Sequence, residues 1–110
     1  PYIKVISFRD GVNLLECCKL YFSSSSILID TFSESLRGGT GETFDWDLIP
    51  KELPLPIIIA GGLNENNVTL LVKKINPYGV DVSGGVELEK GIKDNTMMKN
   101  FILGVQNAAI

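Results

Sequence analysis

The chain has 110 residues, enough for one modest core and therefore one domain. Its 45% hydrophobic and 21% charged residues are ordinary for a globular protein, while a formal charge of −3 with scattered Lys and Arg argues against nucleic-acid binding. No apolar run approaches the roughly 20 residues of a membrane-spanning helix, which argues against a membrane role. The complete absence of histidine excludes Ser-His-Asp and Cys-His nucleophiles from these residues.

In chain order, Tyr2 to Ile6 reads as a short strand and Ser7 to Gly11 as a polar turn. The chain starts without Met inside that strand-like segment and without a signal-peptide pattern, which is expected of a piece cut from a longer polypeptide. Between Val12 and Tyr21, Leu14, Cys17, Cys18 and Tyr21 fall on one helical face. The adjacent cysteines give neither a disulfide framework nor metal-ligand spacing. They read as packing residues in a reducing, cytoplasmic setting. Ile27-Leu28-Ile29, ending in Asp30, has the continuous apolar pattern of a strand buried on both faces.

Thr31 to Thr43 is a long polar loop containing Gly38, Gly39 and Gly41. Asp45 is expected to cap a single helical turn, Trp46 to Ile49, with Pro50, Pro54 and Pro56 preventing anything longer. Phe44 and Trp46 either cover a site or pack beneath the loop. Ile57 to Ala60 forms the next buried strand and runs directly into Gly61-Gly62. Asn64 then caps a helix with Val68, Leu71, Val72 and Ile75 on one face, ended by Asn76-Pro77. Gly79 to Val82 reads as a fourth strand, followed by Ser83-Gly84-Gly85. A last helix begins near Asp94 with Met98, Phe101, Ile102 and Val105 on one stripe. The order βαβαβαβα with apolar strands predicts a parallel α/β sheet, either doubly wound or four units of a barrel.

Both architectures bind ligands at the carboxyl ends of the strands, here Asp30, Gly61-Gly62 and Ser83-Gly84-Gly85. Paired Gly turns after consecutive strands favour phosphate binding by backbone amides, although glycines also serve simply to make tight turns. Asp30, at the end of an apolar strand, suits a general acid whose pKa is raised by partial desolvation, or a cap or turn former. Asp81 lies within a strand and reads first as a buried carboxylate satisfied by neighbouring amides.

These segments resemble phosphoribosylanthranilate isomerases. Leu28-Ile29-Asp30-Thr31, GGTG at 38–41 and Thr43-Phe44-Asp45-Trp46 are similar to the sixth strand and loop of that family's barrel. AGGLNENNV from Ala60 is similar to the seventh turn, and GVDVSGGVE from Gly79, with Gly91 and Lys93-Asp94, to the eighth. Residues 1–26 match only as a βα unit. The resemblance implies half of a (β/α)₈ barrel, residues 1–110 forming a single carboxyl-terminal half of four βα units. It further implies an Amadori rearrangement of N-(5′-phosphoribosyl)anthranilate in tryptophan biosynthesis, without cofactor or metal. Asp30 maps onto the family's general acid; Gly61, Gly62, Ser83 and Gly84 map onto its phosphate-binding turns; and Asp81 maps onto a family Asp counted here with the substrate-binding residues.

This chain has Ser83-Gly84-Gly85 where the family usually has Ser-Ser-Gly, so one hydroxyl of the phosphate cup is missing. The family's general-base Cys and anthranilate-contacting Arg belong to the amino-terminal half and have no counterpart here. The isolated chain is therefore expected to be inactive, and its sheet edges are expected to need an amino-terminal half-barrel or a second copy. The rival readings are a non-catalytic phosphate-binding half-barrel and another phosphate-barrel enzyme.

Overall fold

The computed structural model describes residues 1–9, 11–31 and 45–108. The GGTG segment and Phe44 lie outside the described residues. Strands β1 (Ile3–Ser7), β2 (Ser26–Asp30), β3 (Ile57–Ala60) and β4 (Gly79–Val80) form one parallel sheet, with helices α1 (Leu14–Leu20), α2 (Val68–Ile75) and α3 (Asn95–Ala108). Single 3₁₀ turns occupy Trp46–Leu48 and Gly84–Val86, and a short antiparallel hairpin, β5 (Glu87–Glu89) and β6 (Ile92–Lys93), precedes α3.

The spatial order β1-β2-β3-β4 resolves the choice between a doubly wound sheet and a barrel wall. A doubly wound sheet reverses its strand order at a switch point, whereas a barrel adds each strand beside the last. Here every strand joins the same advancing edge.

Because side chains alternate across a strand, the register separates two faces. Ile6, Ile29 and Ile59 lie in one row, with Ile27 beside Ile57 two positions earlier. Ile27, Ile29 and Ile59 are completely buried, packed with Leu14 and Cys18 of α1, Val68 and Leu71 of α2, and Phe101 of α3. Full burial of each such side chain stabilises the fold by about 1.5–3 kcal/mol. The opposite row runs Val5–Leu28–Ile58–Gly79. On this face Ile3 is 52% and Val5 56% exposed, while Leu28 of β2, a strand expected to be buried on both faces, is half-buried.

The helix ends follow from their side chains. Asn13 Oδ1 accepts the Glu16 N–H at the start of α1 (3.1 Å), and Asp94 Oδ1 accepts the Thr96 N–H ahead of α3 (2.9 Å). Before α2, Asn64 Oδ1 accepts the Asn67 N–H while Asn67 Oδ1 accepts the Asn64 N–H, a reciprocal box built from two asparagines. The Val68 N–H already bonds the Asn64 carbonyl, so Asn64 acts as the cap although the regular helix begins four residues later. Asn76 closes α2 in the left-handed conformation (φ 51°), directly before Pro77. The Asp45 cap is also present, its Oδ1 accepting the Asp47 N–H.

Two expectations are corrected. The fourth strand stops at Val80 rather than Val82, because β3 turns away at Gly61 and offers no further ladder. The hairpin between β4 and α3 went unread, although Lys90-Gly91, with Gly91 at φ 86°, is a compact turn between its two short strands.

Candidate functional site

The sheet register brings the chemistry to one end. Ser7, Asp30 and Ala60 lie side by side at the ends of β1, β2 and β3, and the Asp81 N–H donates to the Ile59 carbonyl just past β4. Asp30, Gly61, Gly62, Asp81, Ser83 and Gly84 all line one open cleft of about 560 Å³. A cavity of about 530 Å³ at the opposite end is lined mostly by proline and aliphatic residues, with Lys51, Asn76 and Tyr78 among them.

Gly61 (φ 94°) and Gly62 (φ 72°) take consecutive left-handed conformations, which L side chains rarely adopt. Two side chains fix the resulting turn. The buried Thr31 hydroxyl donates to the Ala60 carbonyl (2.9 Å) and to the Gly61 carbonyl (3.0 Å), stitching the end of β2 to the turn after β3. Asn67 Nδ2 donates to the Gly62 carbonyl at 2.9 Å. In a trans peptide the N–H points opposite to the carbonyl, so holding these two carbonyls also orients the N–H groups of Gly62 and Leu63.

The second turn is pressed against the first. A Cβ built on Gly85 would run into the Leu63 backbone, its carbonyl carbon only 2.8 Å away, so this position admits no side chain. Gly84 differs, having open space where its Cβ would project. The Lys93 ammonium donates to the Ser83 carbonyl at 2.9 Å, lies 3.5 Å from Ser83 Oγ, and pairs with Glu87 Oε2 at 2.6 Å. That hydrogen bond from Lys93, aided by the Gly91 N–H, holds the Glu87 carboxyl below the usual carboxylate range.

All six residues singled out from the sequence thus share one cleft. Asp30 is half-buried and Asp81 is exposed. The reading of Asp81 as a buried carboxylate is therefore overturned, because it stands beyond the shortened β4 and not inside a strand. Thr31, Asn67, Lys93 and Glu87, which shape the turns, were missed as site residues. Only the Glu87/Lys93 pair had an available signal, opposite charges flanking a Lys-Gly turn at cross-strand spacing. Cys17 and Cys18 are free thiols on α1. Burial foremost, and then the neighbouring Cys17, pushes the Cys18 thiol up, outweighing a lowering hydrogen bond at Leu55, as suits a packing residue. Among the described residues no His/Cys/Asp/Glu group could hold a metal ion, and no helix is long and apolar enough to cross a membrane.

Comparison with known proteins gives a consistent result. The N-(5′-phosphoribosyl)anthranilate isomerase of Azotobacter vinelandii is 48% identical over 108 residues, covering 98% of this chain and 52% of that protein. The corresponding isomerase of Nitrosospira multiformis is 50% identical over 105 residues, covering 96% and 50%. The chain thus spans about half the length of the curated relatives it matches. Among solved structures, phosphoribosyl anthranilate isomerase from Thermotoga maritima has a TM-score of 0.75 at 35% identity, covering 96% of this chain and 51% of that one. A phosphoribosyl anthranilate isomerase in complex with reduced 1-(o-carboxyphenylamino)-1-deoxyribulose 5-phosphate has a TM-score of 0.74 at 31% identity, covering 96% and 48%. These matches extend to the parallel β/α, TIM-barrel type of fold. The sequence model of N-(5'phosphoribosyl)anthranilate (PRA) isomerase matches residues 1–103, and with these relatives it makes this chain a member of that family.

Proposed function

We propose that residues 1–110 supply the carboxyl-terminal half of a phosphoribosylanthranilate isomerase acting in tryptophan biosynthesis. The observation that carries this reading is the convergence of Asp30 with both glycine turns on a single cleft. Asp30 donates its proton to the furanose ring oxygen as the C1′–O bond breaks, and the anthranilate nitrogen supplies the electron pair that forms the Schiff base. A base outside this chain then takes the C2′ proton, giving an enolamine that tautomerises to the ketone. No cofactor is required, because the substrate's own nitrogen serves as the electron source and sink.

The N–H groups of the turns at Gly61-Gly62 and Ser83-Gly84 hold the 5′-phosphate, which a carboxylate would repel. Asp81 therefore serves a sugar hydroxyl, as an acceptor, rather than the phosphate. The general base and the anthranilate contact come from four further βα units. This assignment is supported by relatives twice as long as the chain and by the exposed inner row of β1. A cytoplasmic setting accords with the two free thiols.

The test is Asp30→Asn in the full-length protein, assayed with phosphoribosylanthranilate. Loss of a general acid should lower kcat by about 10²–10⁴-fold. Turnover within about threefold of wild type would instead remove Asp30 from the chemistry, whereas a wild type that binds phosphate without turnover would favour a phosphate-binding relic that kept the glycine turns.

A further inference from the structure

We propose that Lys93 is a positioning residue of the substrate site: by gripping the Ser83 carbonyl it aims the Gly84 N–H at the substrate phosphate. This inference rests on the isomerase reading, and it adds a device lying outside the cleft lining.

The argument begins with the hairpin. Glu87 and Lys93 face each other across β5 and β6, and their side chains meet at 2.6 Å. The Gly91 N–H at the hairpin turn binds the other Glu87 oxygen, Oε1, at 3.3 Å, so the carboxylate is held from two sides. Lys93, fixed by that carboxylate, reaches back ten residues to the Ser83 carbonyl. The same carbonyl receives only a long bond from the Val86 N–H, at 3.4 Å, so Lys93 is its principal partner.

Peptide planarity converts this grip into an aim. The Ser83 carbonyl and the Gly84 N–H belong to one trans peptide and point in opposite directions. A carbonyl turned toward the hairpin therefore sends the Gly84 N–H away from it, on the side where Ser83 and Gly84 line the cleft. Among the described residues, the other hold on that carbonyl is the 3.4 Å bond from the Val86 N–H in the 3₁₀ turn. Gly84 carries no side chain to restrict the peptide's rotation, and the space beside it is open. The turn after β3 uses the same device, with Asn67 on the Gly62 carbonyl.

Geometry rather than charge is the contribution. The Glu87 carboxylate neutralises the ammonium at contact distance, so the pair brings little net positive charge to an anion. Lys93 is 43% and Glu87 15% exposed, so the ammonium stands at the surface, and an ion pair with one exposed member contributes modestly to global stability. Its removal should leave the fold intact.

The test uses the full-length protein and three variants, Lys93→Met, Glu87→Gln and the double variant. Each is measured for KM and kcat on phosphoribosylanthranilate, for inorganic phosphate affinity by calorimetry, and for thermal midpoint. Lys93→Met is expected to raise KM and the phosphate Kd by about 5–20-fold, with kcat within about threefold and the midpoint little changed. Glu87→Gln should also raise KM, because the ammonium loses its anchor. An unchanged KM and phosphate Kd in Lys93→Met would overturn the proposal. So would a lower KM in Glu87→Gln, which would mean that unmasked charge on Lys93 attracts the phosphate directly. If the wild type binds phosphate without turnover, the isomerase reading fails, while the effect of Lys93→Met on phosphate affinity still decides the positioning role. If the wild type neither turns over nor binds phosphate, both fall.

Discussion

Gly84 and Gly85 are adjacent and chemically identical, yet their surroundings give them opposite tolerances. Gly85→Ala would drive a methyl group into the Leu63 backbone, and overpacking against main chain costs about 1–3 kcal/mol. It should also separate the two turns and weaken phosphate binding, as thermal unfolding and phosphate calorimetry would register together. Gly84→Ser meets open space, so stability should change by less than about 0.5 kcal/mol. The restored hydroxyl should tighten phosphate binding, and weaker binding would show that this turn does not face the anion. The sequence offered no means of ranking these neighbours. Asp30 and the Gly61-Gly62 turn were legible as cleft residues because each directly follows an apolar strand, and parallel sheets open their clefts at the carboxyl ends of the strands. Asp81 was misjudged because a pattern of apolar residues does not reveal where a partner strand ends. Thr31 and Asn67 were invisible as site residues, since hydroxyl and amide groups reveal their use only when their acceptors are in place.

At the scale of elements, most apolar strands and helical stripes were read nearly correctly, because hydrophobic period survives without tertiary context. Ile102, however, placed on the α3 stripe, is 55% exposed, while Met97 packs against the core. The β5–β6 hairpin was not read, its strands being three and two residues long and therefore too short to show a period. The contact between α2 and α3 also lay beyond sequence reading. The Thr69 hydroxyl donates to the Gly104 carbonyl at 2.9 Å, and a Cβ on Gly104 would lie 2.9 Å from Thr69 Oγ1 and 3.0 Å from Val68 Cγ1. Gly104→Ala sets a gain in helix propensity of about 1 kcal/mol against overpacking of about 1–3 kcal/mol. The clash should win, with a net destabilisation of up to about 2 kcal/mol in denaturant titration. A stabilised variant would mean that the two helices separate at little cost.

The molecule as a whole has one finished face and one open one. Its helix-side core is fully buried, while β1 turns Ile3 and Val5 outward and leaves the sheet with edges at β1 and β4. The isolated 110-residue chain should therefore self-associate on size-exclusion chromatography and bind a hydrophobic dye. It should show no isomerase turnover, and Val5→Lys should reduce the association. A monomeric, active chain would refute the reading of this unit as half a site.

The sequential strand order also bears on how the chain folds. Ile3 faces Ser26, Ile27 faces Ile57, and Ile58 faces Gly79, so each pairing closes a loop of similar length. Loop-closure entropy separates the longest from the shortest by only about 0.3 kcal/mol, too little to choose among them. The choice falls to burial, which is greatest between β2 and β3, where Ile27, Ile29 and Ile59 disappear entirely from solvent. A folding nucleus at that seam brings Asp30 beside Ala60 and lets Thr31 fasten the Gly61 turn in the same event. Such a nucleus would make the centre of the cleft one of the first parts of the chain to take shape, with the outer strands added to it afterwards.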